Sequence, residues 1–201
     1  DQMRSVGKAA DHTINDVFMA AVGDGLGVYH RKMGHPVSKL RINMPVSTRK
    51  EGSDAANAVN IARFEMPISI QQTRELMDQV AETVAKVRKE PALAFANELG
   101  EISRFIPTDI LSAAAQASDV TASNVPGVPV PVWIAGARVE RMYPLVATIG
   151  AAVNVTMLTY NGIASVGVST DDAAVDDHDI LLESLRRGFA DAIGVHVPAT
   201  T

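Results

Sequence analysis

His12 and Asp16 stand four residues apart, the H-x-x-x-D spacing at which some acyl-transfer enzymes hold a histidine general base. Two features weigh against that use. Val17 follows Asp16 where such motifs carry glycine, and Thr13 sits where a helix N-cap would. The simpler expectation is that Thr13 caps a helix and Asp16 serves its first turn. His178 lies among Asp176, Asp177 and Asp179. That cluster could attract a cation, but carboxylates before a helix are explained by capping, so no metal is expected. His30 and His35 flank a helix end, as solvated or dipole-facing groups do. With no cysteine in the chain, thiolate nucleophiles, zinc-thiolate sites and disulfides are excluded. There is also no Gly-x-Ser-x-Gly elbow.

The remaining candidates are Ser123 and Asn124, within Thr121-Ala122-Ser123-Asn124-Val125-Pro126-Gly127. This stretch predicts a strand that breaks into a turn. Pro126 fixes φ, and Gly127 is expected to supply the positive φ of a type II turn. Pro129 and Pro131 lack a backbone donor, so the chain must leave the sheet there. Such a kink is a place to present Ser123 and Asn124 to a ligand or partner domain.

The elements that position these residues follow from periodicity. Residues 1–12 are expected to be a linker or disordered lead-in, 13–194 one domain, and 195–201 a frayed tail. Ile14, Val17, Phe18, Ala21, Val22 and Leu26 predict a helix with one apolar side. Gly23, Gly25 and Gly27 weaken it and predict close approach to a neighbour; lying inside a helix, they do not make a phosphate loop. Strands are predicted at 40–46 and 59–66, then a helix whose stripe is Leu76, Met77, Val80, Val84 and Val87. Helical pieces are expected over 93–117 and strands at 120–125 and 137–142. Asn161-Gly162 between two strand-like runs predicts a type I′ hairpin. A last helix follows, with core residues Leu181, Leu182, Leu185, Phe189 and Ile193. The expected class is α/β, a two-layer sandwich with a mixed, largely antiparallel sheet covered by helices.

A net charge of −5 without a basic cluster argues against nucleic acid as a partner. No apolar run approaches the roughly 20 residues of a membrane span.

Five motifs fall in one order: Thr13-Ile14-Asn15-Asp16-Val17, Asn43-Met44-Pro45-Val46-Ser47-Thr48-Arg49, Ser123–Gly127, Val153–Gly162, and Thr170-Asp171 with Val175-Asp176-Asp177. The series resembles the C-terminal half of bacterial wax ester synthase/acyl-CoA:diacylglycerol acyltransferases. The resemblance runs from about Thr13 to Ile193. It implies the chloramphenicol acetyltransferase and condensation-domain architecture, in which two similar domains meet along a tunnel. It implies acyl-CoA as a substrate rather than a cofactor, and diacylglycerol or a fatty alcohol as acceptor. The family's catalytic HHxxxDG motif is not in this chain, so an N-terminal half is the implied partner and this chain alone would be inactive. Asn15 and Asp16 correspond to the family's Asn-Asp pair, expected at the domain junction. Asn124, Pro126 and Gly127 belong to its Asn-Val-Pro-Gly turn, which continues here as Val128-Pro129 rather than directly to proline. Asn124 is the first candidate for a polar group facing the tunnel, and His12 an outsider as base. The resemblance further implies a cytoplasmic protein, peripheral at membranes or lipid inclusions. A half without its partner should expose an apolar interface, so homo-oligomers are also expected. Two readings stay open beside this one: a non-catalytic docking or lipid-binding module, and the second lobe of a condensation or polyketide-associated acyltransferase.

Overall fold

The computed structural model describes residues 2–47, 59–70, 72–88, 118–148 and 150–194. The first of these differ from expectation. Helix α1 (Gln2–Ala10) stands where a lead-in was predicted. Only Met3 and Val6, one turn apart, reach the core, too short a stripe to register as a helix in the sequence. Gly7 lets α1 sit against the chain entering the next helix, where an added Cβ would lie 2.8 Å from the His12 carbonyl oxygen.

Helix α2 (Ile14–Lys32) begins with a full capping box. The Thr13 hydroxyl accepts from Asp16 N at 3.3 Å, and the Asp16 carboxylate accepts from Thr13 N at 2.9 Å. The predicted single apolar side is too narrow. Every residue from Asp16 to Tyr29 is buried, because neighbours surround the helix. Its glycines admit them: a Cβ at Gly25 would meet Leu185 Cα at 2.8 Å, and one at Gly27 would meet the Ile68 carbonyl oxygen at 2.2 Å.

One sheet of five strands supports α2, in the order β2-β1-β3-β6-β7. The outer pairs are antiparallel: β1 (Lys39–Ser47) with β2 (Val59–Pro67), and β6 (Val153–Tyr160) with β7 (Ile163–Thr170). The central strand β3 (Val120–Pro126) runs parallel to both β1 and β6. Asn161 and Gly162 have φ of 46° and 79°, the left-handed pair that a type I′ hairpin requires. Asp119 ties β3 to β1. Its carboxylate accepts from Arg41 N at 2.8 Å and also from the Arg41 guanidinium, which holds it below the usual carboxylate range.

Strand alternation gives the sheet two unlike faces. Ile42, Met44, Ala62, Met66, Val120, Ala122, Val153, Val155 and Met157 join one apolar core with α2, α3 (Thr73–Arg88) and α4 (His178–Ala192). Helix α4 is capped by Asp177, whose Oδ1 accepts from Ile180 N at 2.8 Å. Leu181 and Leu185 are buried as predicted, but Leu182 is exposed; Ser184 and Gly188 complete the buried line. The small side chains are required because a Cβ at Gly188 would lie 2.3 Å from the Ala21 carbonyl oxygen. Of the predicted strand at 137–142, only Ala137–Arg138 pairs, as β5, with β4 (Trp133–Ile134) in a separate ribbon. The expected helical pieces at 93–117 and the tail at 195–201 lie outside the described residues.

Candidate functional site: a polar cleft on the open face of the sheet

The face turned away from the helices carries Asn43, Arg63, Thr121, Ser123, Asn154 and Thr156 around a cleft of about 220 Å³. Pro45, Ile61, Val125 and Val146 make its apolar rim. Parallel register brings the polar groups together, with Thr121 opposite Asn154 and Ser123 opposite Thr156. Several of them satisfy one another. The Ser118 hydroxyl donates to Asn43 Oδ1 at 2.6 Å, and the Thr156 hydroxyl donates to Asn154 Oδ1 at 2.8 Å. Asn154 Nδ2 donates to the Ala147 carbonyl at 3.2 Å. None of the hydrogen bonds among the described residues uses the Thr121 or Ser123 hydroxyl. Among the described residues, those two hydroxyls are thus left as donors on paired strands that line the cleft. Fixed donors of this kind can stabilise developing negative charge without reorganising. Arg63 is the charged residue of the lining.

The sequence candidates separate into three places. Ser123 opens into the cleft. Its neighbour Asn124, half-buried, falls on the helix-facing side by strand alternation. Pro126 and Gly127 line a second cavity of about 680 Å³, between the ends of β3 and β6, the β6–β7 hairpin, α1 and α4. Gly127 is not in the left-handed region, contrary to the predicted type II turn. Its small size serves a close approach instead: an added Cβ would stand 2.0 Å from the Thr159 carbonyl oxygen.

Asn15, Asp16 and His12 belong to the helical layer. Asn15 Nδ2 lies 3.7 Å from Met44 Sδ, and Asp16 is engaged in the capping box. His12 Nε2 pairs with Asp78 Oδ1 at 2.8 Å, tying the α1–α2 connection to α3, and it lines neither cavity. Of the acidic run before α4, Asp177 caps and His178 pairs with Asp172 at 3.3 Å. Among the described residues, no group of three or more His, Cys, Asp or Glu could hold a metal ion. No helix among them is long and apolar enough to cross a membrane.

Asn43, Thr121, Asn154 and Thr156 were not singled out from the sequence. Their signal was present as polar residues at alternate positions of β-rich runs. Only the pairing of β3 with β6 shows that the alternations coincide.

This mixed five-stranded sheet with helices is the architecture of acyltransferase and condensation domains. A solved wax ester synthase/diacylglycerol acyltransferase from Marinobacter aquaeolei VT8 superposes with a TM-score of 0.69 at 22% identity, over 96% of this chain and 47% of that one. The first condensation domain of the CDA synthetase superposes with a TM-score of 0.56 at 18% identity, over 96% and 42%. Residues 55–192 match the WS/DGAT C-terminal domain, and the chain belongs to that family. A Mycobacterium tuberculosis (strain ATCC 25618 / H37Rv) relative, provisionally named a diacylglycerol O-acyltransferase, is 28% identical over 197 residues, covering 96% of this chain and 40% of the relative. O-acyltransferase WSD of Acinetobacter baylyi is 25% identical over 177 residues, covering 84% and 39%. The chain thus spans about 40% of the length of the curated relatives it matches.

Proposed function

We propose that this chain is the C-terminal half of an O-acyltransferase that moves a long acyl group from acyl-CoA to the hydroxyl of diacylglycerol or a fatty alcohol. Membership of the WS/DGAT C-terminal family supports the reaction class. The observation that supports a part for this domain in the reaction is the Ser123 hydroxyl, which lines the cleft and makes no hydrogen bond among the described residues. A histidine of an HHxxxDG motif, on the N-terminal half, takes the proton of the acceptor hydroxyl. The oxygen forms a bond to the thioester carbon, the carbonyl oxygen becomes an oxyanion, and the carbon–sulfur bond then breaks. CoA leaves with the proton returned by the histidine. Ser123 donates its O–H to the oxyanion, with Thr121 beside it on the same face. Acyl-CoA is consumed as substrate, and the reaction needs no cofactor.

In this reading Ser123 rather than Asn124 takes the tunnel-facing role, which strand alternation supports. Asn15 and Asp16 act indirectly, by fixing the start of α2 against the sheet. Because the acceptors are insoluble in water, the enzyme works from the cytoplasm at the surface of membranes or lipid inclusions. The test is thiol release from palmitoyl-CoA with diacylglycerol or hexadecanol, measured on the full-length protein. Ser123→Ala should lower kcat roughly a hundredfold, as loss of an oxyanion donor does, with KM and thermal unfolding retained. Unchanged kcat removes Ser123 from the mechanism. A full-length protein inactive on palmitoyl-CoA but active on a carrier-protein thioester would transfer the chain to the condensation class.

A further inference from the structure

The register of the sheet lines up one transverse polar row on its open face. Arg63 of β2 stands opposite Asn43 of β1, Asn43 opposite Thr121 of β3, and Thr121 opposite Asn154 of β6. All four line the cleft that holds Ser123. Ser123 lies two residues beyond Thr121 on β3 and so shares its face. Two strand spacings across and two residues along, the Cα atoms of Arg63 and Ser123 are roughly 12 Å apart. Between them Asn43 is only 6% exposed. Its Oδ1 accepts from Ser118, while its Nδ2 makes no hydrogen bond among the described residues.

The cations of β1 and β2 are of two kinds. Lys39 pairs with Glu65 at 3.0 Å, and Arg41 pairs with Asp119. Arg63, on the same face, makes no ion pair or hydrogen bond with any described residue. Among the described residues, no carboxylate lines the cleft. An uncompensated positive charge there, on a chain of net charge −5, is where an approaching anion meets a favourable potential. A guanidinium holds phosphate through two parallel N–H bonds. Acyl-CoA, the donor in the functional reading above, has its thioester at one end of an amide-bearing pantetheine arm and its phosphates at the other. We infer that Arg63 holds the phosphate next to the pantetheine arm of acyl-CoA, that the Asn43 Nδ2 donates to an amide carbonyl of the arm, and that the thioester thereby reaches Ser123. Arg63 is a positioning residue in this arrangement, acting on donor binding and remote from the reacting carbon. The inference rests on that functional reading for the identity of the donor.

Arg63→Gln and Arg63→Lys are made in the full-length protein and assayed with hexadecanol on two donors. One is palmitoyl-CoA; the other is S-palmitoyl-N-acetylcysteamine, which ends before any phosphate. Arg63→Gln should raise KM for palmitoyl-CoA about tenfold with kcat retained, the loss of one charge-assisted contact, and leave the truncated donor unaffected. Arg63→Lys should recover part of that loss, and the difference should shrink as salt is raised. An unchanged KM for palmitoyl-CoA overturns the inference. So does an equal loss on both donors, which a merely structural arginine would give. Calorimetric titration with CoA itself reads the same contact without turnover, and Arg63→Gln should weaken that binding about tenfold. Unchanged CoA affinity with weakened attachment to phosphatidylglycerol vesicles also overturns it, because the arginine then faces a lipid headgroup. The two readings fail separately. Arg63-dependent CoA binding in a protein that transfers no acyl group removes only the proposed reaction, whereas transfer from palmitoyl-CoA that ignores Arg63 removes only this assignment.

Discussion

The two faces of the sheet are built from alternate residues of the same strands, yet they are governed by different rules. The helix-facing side is apolar and tightly closed, with glycines wherever α2 meets its neighbours. The other side carries hydroxyls, amides and one guanidinium around a cleft. One face buries apolar groups, and the other pairs most of its polar groups with one another while Thr121 and Ser123 make no hydrogen bond among the described residues. Adjacent residues such as Ser123 and Asn124 therefore have unlike roles.

The largest effect belongs to the closed face. Gly188→Ala places a methyl group 2.3 Å from the Ala21 carbonyl oxygen and 2.6 Å from Gly25 N, forcing α4 away from α2. The expected loss is about 3 kcal/mol, at the upper part of the overpacking range, read from urea unfolding. An unchanged midpoint would mean that these helices are not clamped here.

The contrast sharpens at Ser123 and Asn124. Asn124→Ala in the full-length protein should lower stability by about 1 kcal/mol and leave turnover near that of the parent, the reverse of Ser123→Ala. If Asn124→Ala instead cuts turnover as deeply with stability intact, the assignment of the two faces fails.

Asp119 joins β1 to β3 at the end of the cleft-bearing strands. Its carboxylate is held down chiefly by the hydrogen bond from the Arg41 side chain, against some opposing burial. A depressed carboxylate stabilises the fold above its unfolded pKa, and that contribution disappears as pH falls through the folded value. Asp119→Asn should lower stability slightly at pH 7, the effect being small because the pair is largely exposed and screened by solvent, and converge with the parent in acid. Parallel melting curves across that range would show the pairing to be neutral.

The smallest effect has the opposite sign. Asp24 lies buried on α2, where burial foremost and Asp191 next push its carboxyl up, opposed by Arg31 and Arg187. A raised acid keeps its proton longer in the folded state, so stability falls as pH rises from the unfolded toward the folded value. Asp24→Asn should therefore raise stability at pH 7 by about 0.5 kcal/mol, with the gain vanishing in acid. A lower melting temperature at pH 7 would mean that the carboxylate is paired well enough to offset its burial.

The closed face was the more legible of the two. Capping of α2 by Thr13 and of α4 by Asp177, the Asn161-Gly162 hairpin and the α3 stripe are local, and each follows from residues within a few positions. Leu182 was misplaced because helical period alone cannot tell which edge of a stripe a neighbour covers. The line through Ser184 and Gly188 is set by the shape of α2. Strand 137–142 shortened to a two-residue ribbon because the segment's backbone bonds go to Tyr160 and Val132 rather than to the sheet. The cleft was half legible. Ser123 was found through the proline kink that follows it, while Thr121, Asn154 and Thr156 become partners only when β3 lies beside β6.

The sequence by itself determined the starts of α2 and α4 and the approximate bounds of the five sheet strands, because caps, turns and periodicities act over a few residues. It also determined the family, through five motifs in order. The tertiary structure decided which polar groups share a face, since parallel strands are brought together by crossovers that no local pattern encodes. It decided that Gly127 serves a close approach rather than a left-handed turn, because that requirement comes from Thr159, distant in sequence. And it decided that the proline-rich segment is a fixed arm with its apolar side chains outward, because Tyr160 and Gly167 hold it from strands laid down later in the chain.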